Sequence, residues 1–293
     1  RGGCLEITYP LVDVLNSFNY ASKKSNPFSR ISIIFKSKIK MALSYKSSYL
    51  MTFFLNLITI VMYFFFGKMN PDMTVFGIPS TYLEFCFLGL SLQMIIGTSL
   101  ATVCGSIHNE IISGTWSYLL FQFNFIEYSI GSTLAGVVLS SLSVFAALFL
   151  AYLFMGSFYV ISIQEVMLVI VLFLLILIAH MSISMIFASF TIFYQKNSGL
   201  VPLLYQLTKT FTGIVFPLSL LKGFPMIVSR ALPLTYGLEA LHSVILTDQT
   251  NWQLILTNSM ILLISSIVIG VFAIFLTSKS IANSKKHNKV DWY

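Results

Sequence analysis

Charge is what this chain has least of. Only 9% of its 293 residues are Asp, Glu, Lys or Arg, and just ten are acidic, against roughly a quarter charged in an ordinary soluble domain. That is too little polar surface to dissolve a folded domain. Catalytic signatures are missing as well. No G-x-x-x-x-G-K-[ST] phosphate loop occurs, so ATP-driven work needs another polypeptide. No G-x-S-x-G elbow occurs either. The four histidines His108, His180, His242 and His287 stand apart, without H-E-x-x-H or another ligand spacing, which argues against a catalytic metal. The three cysteines form no disulfide framework. Cys4 lies in a tail, and Cys86 and Cys104 fall about 27 Å apart in one predicted helix, beyond bridging distance.

Apolar sequence fills the space that charge leaves. Hydrophobic residues make up 57% of the chain and the mean hydropathy is +0.87. Six stretches reach the ~20 apolar residues that a membrane crossing requires: 49–67, 82–104, 128–155, 166–194, 199–221 and 254–277. Of the 17 Lys and Arg, 12 lie in the two ends, 1–48 and 278–293. Basic residues near span ends are retained on the cytoplasmic side, so both ends are expected there, and six crossings satisfy this. Loops 68–81, 156–165 and 222–253 then fall outside, and 105–127 and the turn around Lys196 inside. Lys68, Lys222 and Arg230 run against the rule but are outnumbered. The net charge of +7 flanks apolar spans instead of forming a stripe on a folded domain, which favours an anionic lipid surface over nucleic acid.

Before the first span, 29–48 reads as an amphipathic interfacial helix, following a polar segment 1–28. Ile31, Ile34, Phe35, Ile39, Ala42 and Leu43 share one face, Arg30, Lys36 and Lys40 lie opposite, and Lys38 is expected to snorkel from the edge of the apolar stripe. The helix is either an anchor for span 1 or a lever along the membrane plane. The second span carries Gly89, Gln93, Gly97, Ala101 and Gly105 at four-residue intervals and the third Gly131, Ser132, Ala135 and Gly136, and the small side chains so kept on one face predict close helix packing. Pro217, Pro225 and Pro233 recur every eight residues through a stretch too apolar for an aqueous loop. Short helices over 222–246, dipping back into the outer leaflet, are expected there. His180 and Lys209 are ionisable groups inside spans and hence candidate polar residues of a path.

Two segments carry a resemblance. Glu110, Gly114 and Thr115 followed by Leu119 and Leu120 resemble the E-x-x-x-G-T-x-x-x-L-L segment of type-2 ABC transporter permeases. Phe216 and Pro217, then Leu232, Pro233, Leu234 and Tyr236, then Glu239, Ala240 and Leu241, are similar to that family's signature after its fifth span. Phe224 and Pro225 replace an intermediate L-P, and His242 stands where Arg is common. In the coupling segment Ile111, Ile112 and Ser117 occupy places that usually hold charges, and Gln122 and Phe123 replace Thr-Pro.

The resemblance implies an all-α membrane protein of the plasma membrane and the permease subunit of an exporter. ATP and Mg would be held by a partner ATPase, and a second permease copy or a paired homologue would complete the path. It assigns coupling to Glu110, Ser113, Gly114, Thr115 and Leu119, and an outer gate to Phe216, Pro217, Pro225, Pro233, Tyr236 and Glu239. Drug, peptide, lipid and polysaccharide cargoes all remain open. An ion-coupled carrier or channel is the alternative, and an intramembrane enzyme a third reading. The chain offers the first no driving-ion site beyond Lys209 and His180, and the second no paired catalytic residues.

Overall fold

The protein, seen in a computed structural model, is described over residues 26–69, 82–155, 162–194, 200–215, 217–246 and 251–286. The segment 1–25, Lys196, Phe216, most of 68–81 and the tail from His287 onward lie outside these. Among the described residues the chain is helical, with no strand. Five helices among the described residues are long and apolar enough to cross a membrane, so the described part of the chain has the helical architecture of a multi-pass membrane protein.

Helix α1 (Pro27–Ser44) opens with Pro27 in its first turn, where a missing N–H costs nothing, and turns at Tyr45 into α2 (Lys46–Met69). Helix α3 (Tyr82–Leu100) continues through a π turn (Ala101–Gly105) into α4 (Ser106–Ile112). The second predicted span, which hydropathy ends at 104, is therefore longer. Ser106 and Ile107 keep the helix going because they are buried against the rest of the protein. Within the π turn, Thr102 donates to Ser132 O at 2.9 Å and Cys104 to Ser184 O at 3.3 Å. Both cysteines of this region, Cys86 and Cys104, are free and buried.

A short α5 (Trp116–Gln122) leads into α6 (Phe125–Met155). Helix α7 (Ile163–Tyr194) begins at a capping box, with Ser162 N–H on Glu165 Oε2 at 2.7 Å and Glu165 N–H on Ser162 Oγ at 3.3 Å. The last helix, α11 (Trp252–Lys286), starts where Asn251 Oδ1 accepts from Leu254 N–H and runs beyond the predicted end at 277 into the basic tail. Ser280 and Ser284 are buried there.

The predicted span 199–221 differs most. Its helix, α8, covers only Leu200–Phe211, about 18 Å of rise against a hydrocarbon core of about 30 Å. Gly213, at φ 83°, ends it; 212–215 are irregular, and a 3-10 turn stands at Leu218–Leu220. The segment still tracks α3. Tyr205 covers Gly97 and the Ile214 carbonyl sits 2.5 Å from where a Cβ on Gly89 would be, so 205–214 ascends antiparallel to 97–89. The small-residue stripe thus serves packing within one chain, while Gly105 faces open space.

Two short helices follow, α9 (Phe224–Ala231) and α10 (Pro233–Ile245). Pro225 and Pro233 stand in their first turns, so these prolines start helices instead of breaking one. Helix α10 is the keystone. Its face from Leu234 to Val244 is buried, and its Gly237 lies against the Ile176 side chain of α7. Helices α7 and α11 pack along their lengths, with Ser189 and Thr277 hydroxyls 2.7 Å apart. One apolar cluster, including Leu90, Ile96, Ile176, Ile214, Leu238 and Leu262, joins α3, α7, α10 and α11. A second, including Ile34, Val103, Ile107, Trp116, Phe125 and Tyr128, lies at the α1 end.

Candidate functional site

The α1 end of the molecule concentrates the polar residues that the sequence singles out. Helix α4 stops in a Schellman arrangement: Thr115 N–H bonds Glu110 O at 3.0 Å and Gly114 N–H bonds Ile111 O at 3.1 Å. Gly114 takes the left-handed conformation, φ 69°, that this stop demands. The turn brings the Thr115 hydroxyl onto Glu110 Oε2. Lys38 Nζ lies 3.2 Å from the other oxygen, Oε1. The Glu-Gly-Thr spacing therefore has a local physical meaning: a helix stop whose carboxylate is held on one side and offered to a lysine on the other.

Lys38 does not snorkel. It is only 5% exposed, pointing inward over the Tyr128 ring at 4.9 Å from its centroid. Burial by itself would lower its pKa, but the neighbouring Tyr128 and Glu110 outweigh that and hold it above the ordinary lysine range. The apolar stripe of α1 needs no lipid at this point, because the protein supplies a carboxylate beneath it.

Eight residues earlier, about 12 Å along the helix, Arg30 makes a second tie. Its guanidinium lies 3.2 Å from Glu127 Oε1, while Glu127 Oε2 accepts from Asn124 N–H at 3.2 Å at the start of α6. One side chain thus caps α6 and holds α1. Between the two ties, Gly131 lets the helices close. A Cβ there would lie 2.8 Å from Ile34 Cγ2 and 3.0 Å from Ile31 O. Trp116 packs edge-on against Phe125 and Tyr128 below.

The structure sorts the expected coupling residues. Glu110 and Thr115 are engaged internally and Leu119 is buried in the core of this end. Ser113 and Gly114 are exposed, in company with Asn109, Ile112 at 57% and Tyr118 at 70%. These five make a knob at the α4–α5 turn.

The expected outer residues lie elsewhere, around α9 and α10. Arg230 pairs with Glu239 at 3.1 Å and Asn258 of α11 donates to the same oxygen at 3.3 Å. Tyr236 Oη donates to Arg230 O at 3.0 Å, and Thr235 Oγ1 to Ser229 O at 2.6 Å. Glu239 and Tyr236 therefore hold the two proline-started helices together and to α11. Pro217 follows directly on Phe216, which lies outside the described residues.

His180 is enclosed within α7's packing, 2% exposed, and neither ring nitrogen has a hydrogen-bond partner among the described residues. It faces no open surface. Lys209 is partly exposed, 5.3 Å above the Tyr63 ring of α2. Among the described residues no group of three His, Cys, Asp or Glu could hold a metal ion. Sequence reasoning missed Arg30, Lys38 and Glu127 as partners in the site; the eight-residue interval between the two cations, which places them within about 80° on a helix, was the available signal. No family model matches the chain, and no curated protein is significantly similar to it.

Proposed function

We propose that this chain is the permease subunit of an ATP-driven exporter of the type-2 ABC class, paired with a second copy or a homologous permease and driven by separate ATPase subunits that carry ATP and Mg. The observation that supports this best is the bridge from the buried Lys38 through the half-buried Glu110 to Thr115. It joins an amphipathic helix to an exposed turn, so that a push on the turn moves both. In this reading the α1 end is cytoplasmic, the membrane is the cell membrane, and α8 with the irregular 212–215 and the turn that follows makes the sixth crossing. Irregular backbone at that depth is tolerated because Thr212, Gly213, Ile214 and Val215 are buried in protein.

The knob of Asn109, Ile112, Ser113, Gly114 and Tyr118 is the surface that docks on the ATPase. ATP-driven closure favours whichever permease state makes the better contacts with it. Movement passes through Glu110 to Lys38 and through Glu127 to Arg30, tilting α1 against α6. On the other side, α9 and α10 form a lid whose hinge is held by Arg230, Glu239 and Asn258.

Reconstitution of the chain with an ATPase encoded beside it tests the proposal. Vanadate-sensitive ATPase activity should rise in the complex, and Ile112→Asp and Tyr118→Ala should abolish that rise without loss of folded protein. Transport by the purified chain alone, driven by an ion gradient, would overturn it in favour of a carrier.

A further inference from the structure

Three polar residues of α8 lie on the face turned away from the rest of the protein. Gln206 and Thr210 are exposed, Lys209 is partly exposed beside them, and the three recur at i, i+3 and i+4. Thr208 and Thr212, which face the protein, are buried. Depth is set by the packing on α3: Tyr205 covers Gly97 and Gln93 donates to Tyr205 O at 3.4 Å. Lys209, one turn further on, stands level with the middle of that span.

The neighbouring α2 repeats the pattern. Asn56, Thr59 and Tyr63 share one face at intervals of three and four and are partly exposed. Both helices pack on α3, and Lys209 Nζ over Tyr63 is where their polar edges meet. No carboxylate pairs with Lys209 among the described residues, in contrast to Lys38. A cation held at this depth by a ring alone attracts an anion. Leu203 and Leu207, 54% and 38% exposed on the same helix, offer an apolar bed next to it.

We infer that Lys209, with Gln206, Thr210 and Tyr63, forms a recognition point for an anionic headgroup, and that the cargo is an anionic amphiphile whose carboxylate, phosphate or sulfonate meets the ammonium while its tail lies along α8. The inference rests on the exporter reading for its direction and its membrane depth. The binding step itself needs no ATPase.

The test uses the full chain in nanodiscs of zwitterionic lipid, titrated with three fluorescent single-chain amphiphiles that differ only in an anionic, zwitterionic or cationic head. The anionic probe should bind about ten-fold more tightly than the cationic one, as expected of one charged contact. Lys209→Met should erase the preference, Lys209→Arg should keep it, and Lys209→Glu should reverse it. Equal binding of the anionic and cationic probes to the unaltered chain, or a preference unchanged in both Lys209→Met and Lys209→Glu, would overturn the inference. Adding anionic phospholipid to the nanodiscs separates two sources of the same chemistry. Lys209-dependent competition assigns the site to bilayer lipid, and its absence assigns it to a free amphiphile. Because no ATPase is present, failure of coupling would leave this result standing, and failure of the charge preference would leave coupling untouched.

Discussion

Two lysines in apolar surroundings have opposite solutions. Lys38 is buried with both a carboxylate and a ring around its ammonium, and that carboxylate is itself anchored by Thr115. Lys209 has a ring but no carboxylate among the described residues, and stays partly open. The first arrangement is closed and ties α1 to the α4–α5 turn. The second is open, and on the proposal above an anionic headgroup completes it.

The contrast breaks most forcefully at Glu110. Its replacement by Ala would leave Lys38 buried and unpaired, at a cost of about 3–5 kcal/mol. Thermal unfolding of the detergent-solubilised chain should show a loss of that order, and the exchanged pair Lys38→Glu with Glu110→Lys should recover much of it. A wild-type melting curve for Glu110→Ala would make the bridge irrelevant. Transport assays on single Glu110 variants therefore need a folding control.

A smaller effect is expected at Gly131, where the added methyl of Ala meets Ile34 Cγ2 and Ile31 O. Overpacking of this kind costs about 1–3 kcal/mol. It should loosen α1 from α6, read as faster hydrogen exchange over 30–40. Protection unchanged in the variant would mean that the two ion pairs hold α1 without close packing.

Lys209→Met should hardly change stability, by less than about 1 kcal/mol, because a lost cation–π contact is offset by a lost desolvation penalty. Lys38→Met, in the opposite sense, should be strongly destabilising. Equal losses at the two positions would erase the distinction between a closed and an open lysine.

The smallest effect concerns pH. A lysine whose folded pKa lies above its unfolded value of 10.5 contributes stability that is fully present below that value and lost as pH rises through the folded pKa. The stability difference between the native chain and the Lys38→Met, Glu110→Gln double variant should therefore stay flat from pH 7 to about 9.5 and shrink only in stronger alkali. A steep change near neutrality would show that another group titrates in the bridge.

Much of this was legible beforehand, and the exceptions share a cause. The amphipathic character of 29–46 was readable because its periodicity is local. The place of Lys38 was not, because its partner lies 72 residues away. Hydropathy ended the second span at 104, where polar residues begin, yet the helix continues to Ile112 since Ser106 and Ile107 find cover in the fold. Averaging over 199–221 hid the stop at Gly213, whose φ only the backbone reveals. The eight-residue rhythm of Pro217, Pro225 and Pro233 marked disruption correctly, but two of the three prolines open helices.

Where the apolar stretches and their basic flanks lie was readable from the chain alone, because hydropathy and charge act over a few neighbours. Tertiary structure alone decided which charges are satisfied. Glu110 reaches Lys38, Glu127 reaches Arg30 and Asn258 reaches Glu239 only when distant helices pack, and Lys209 is distinguished solely by the absence of such a partner among the described residues. Ion pairing depends on distances of about 3 Å between groups that no sequence window contains.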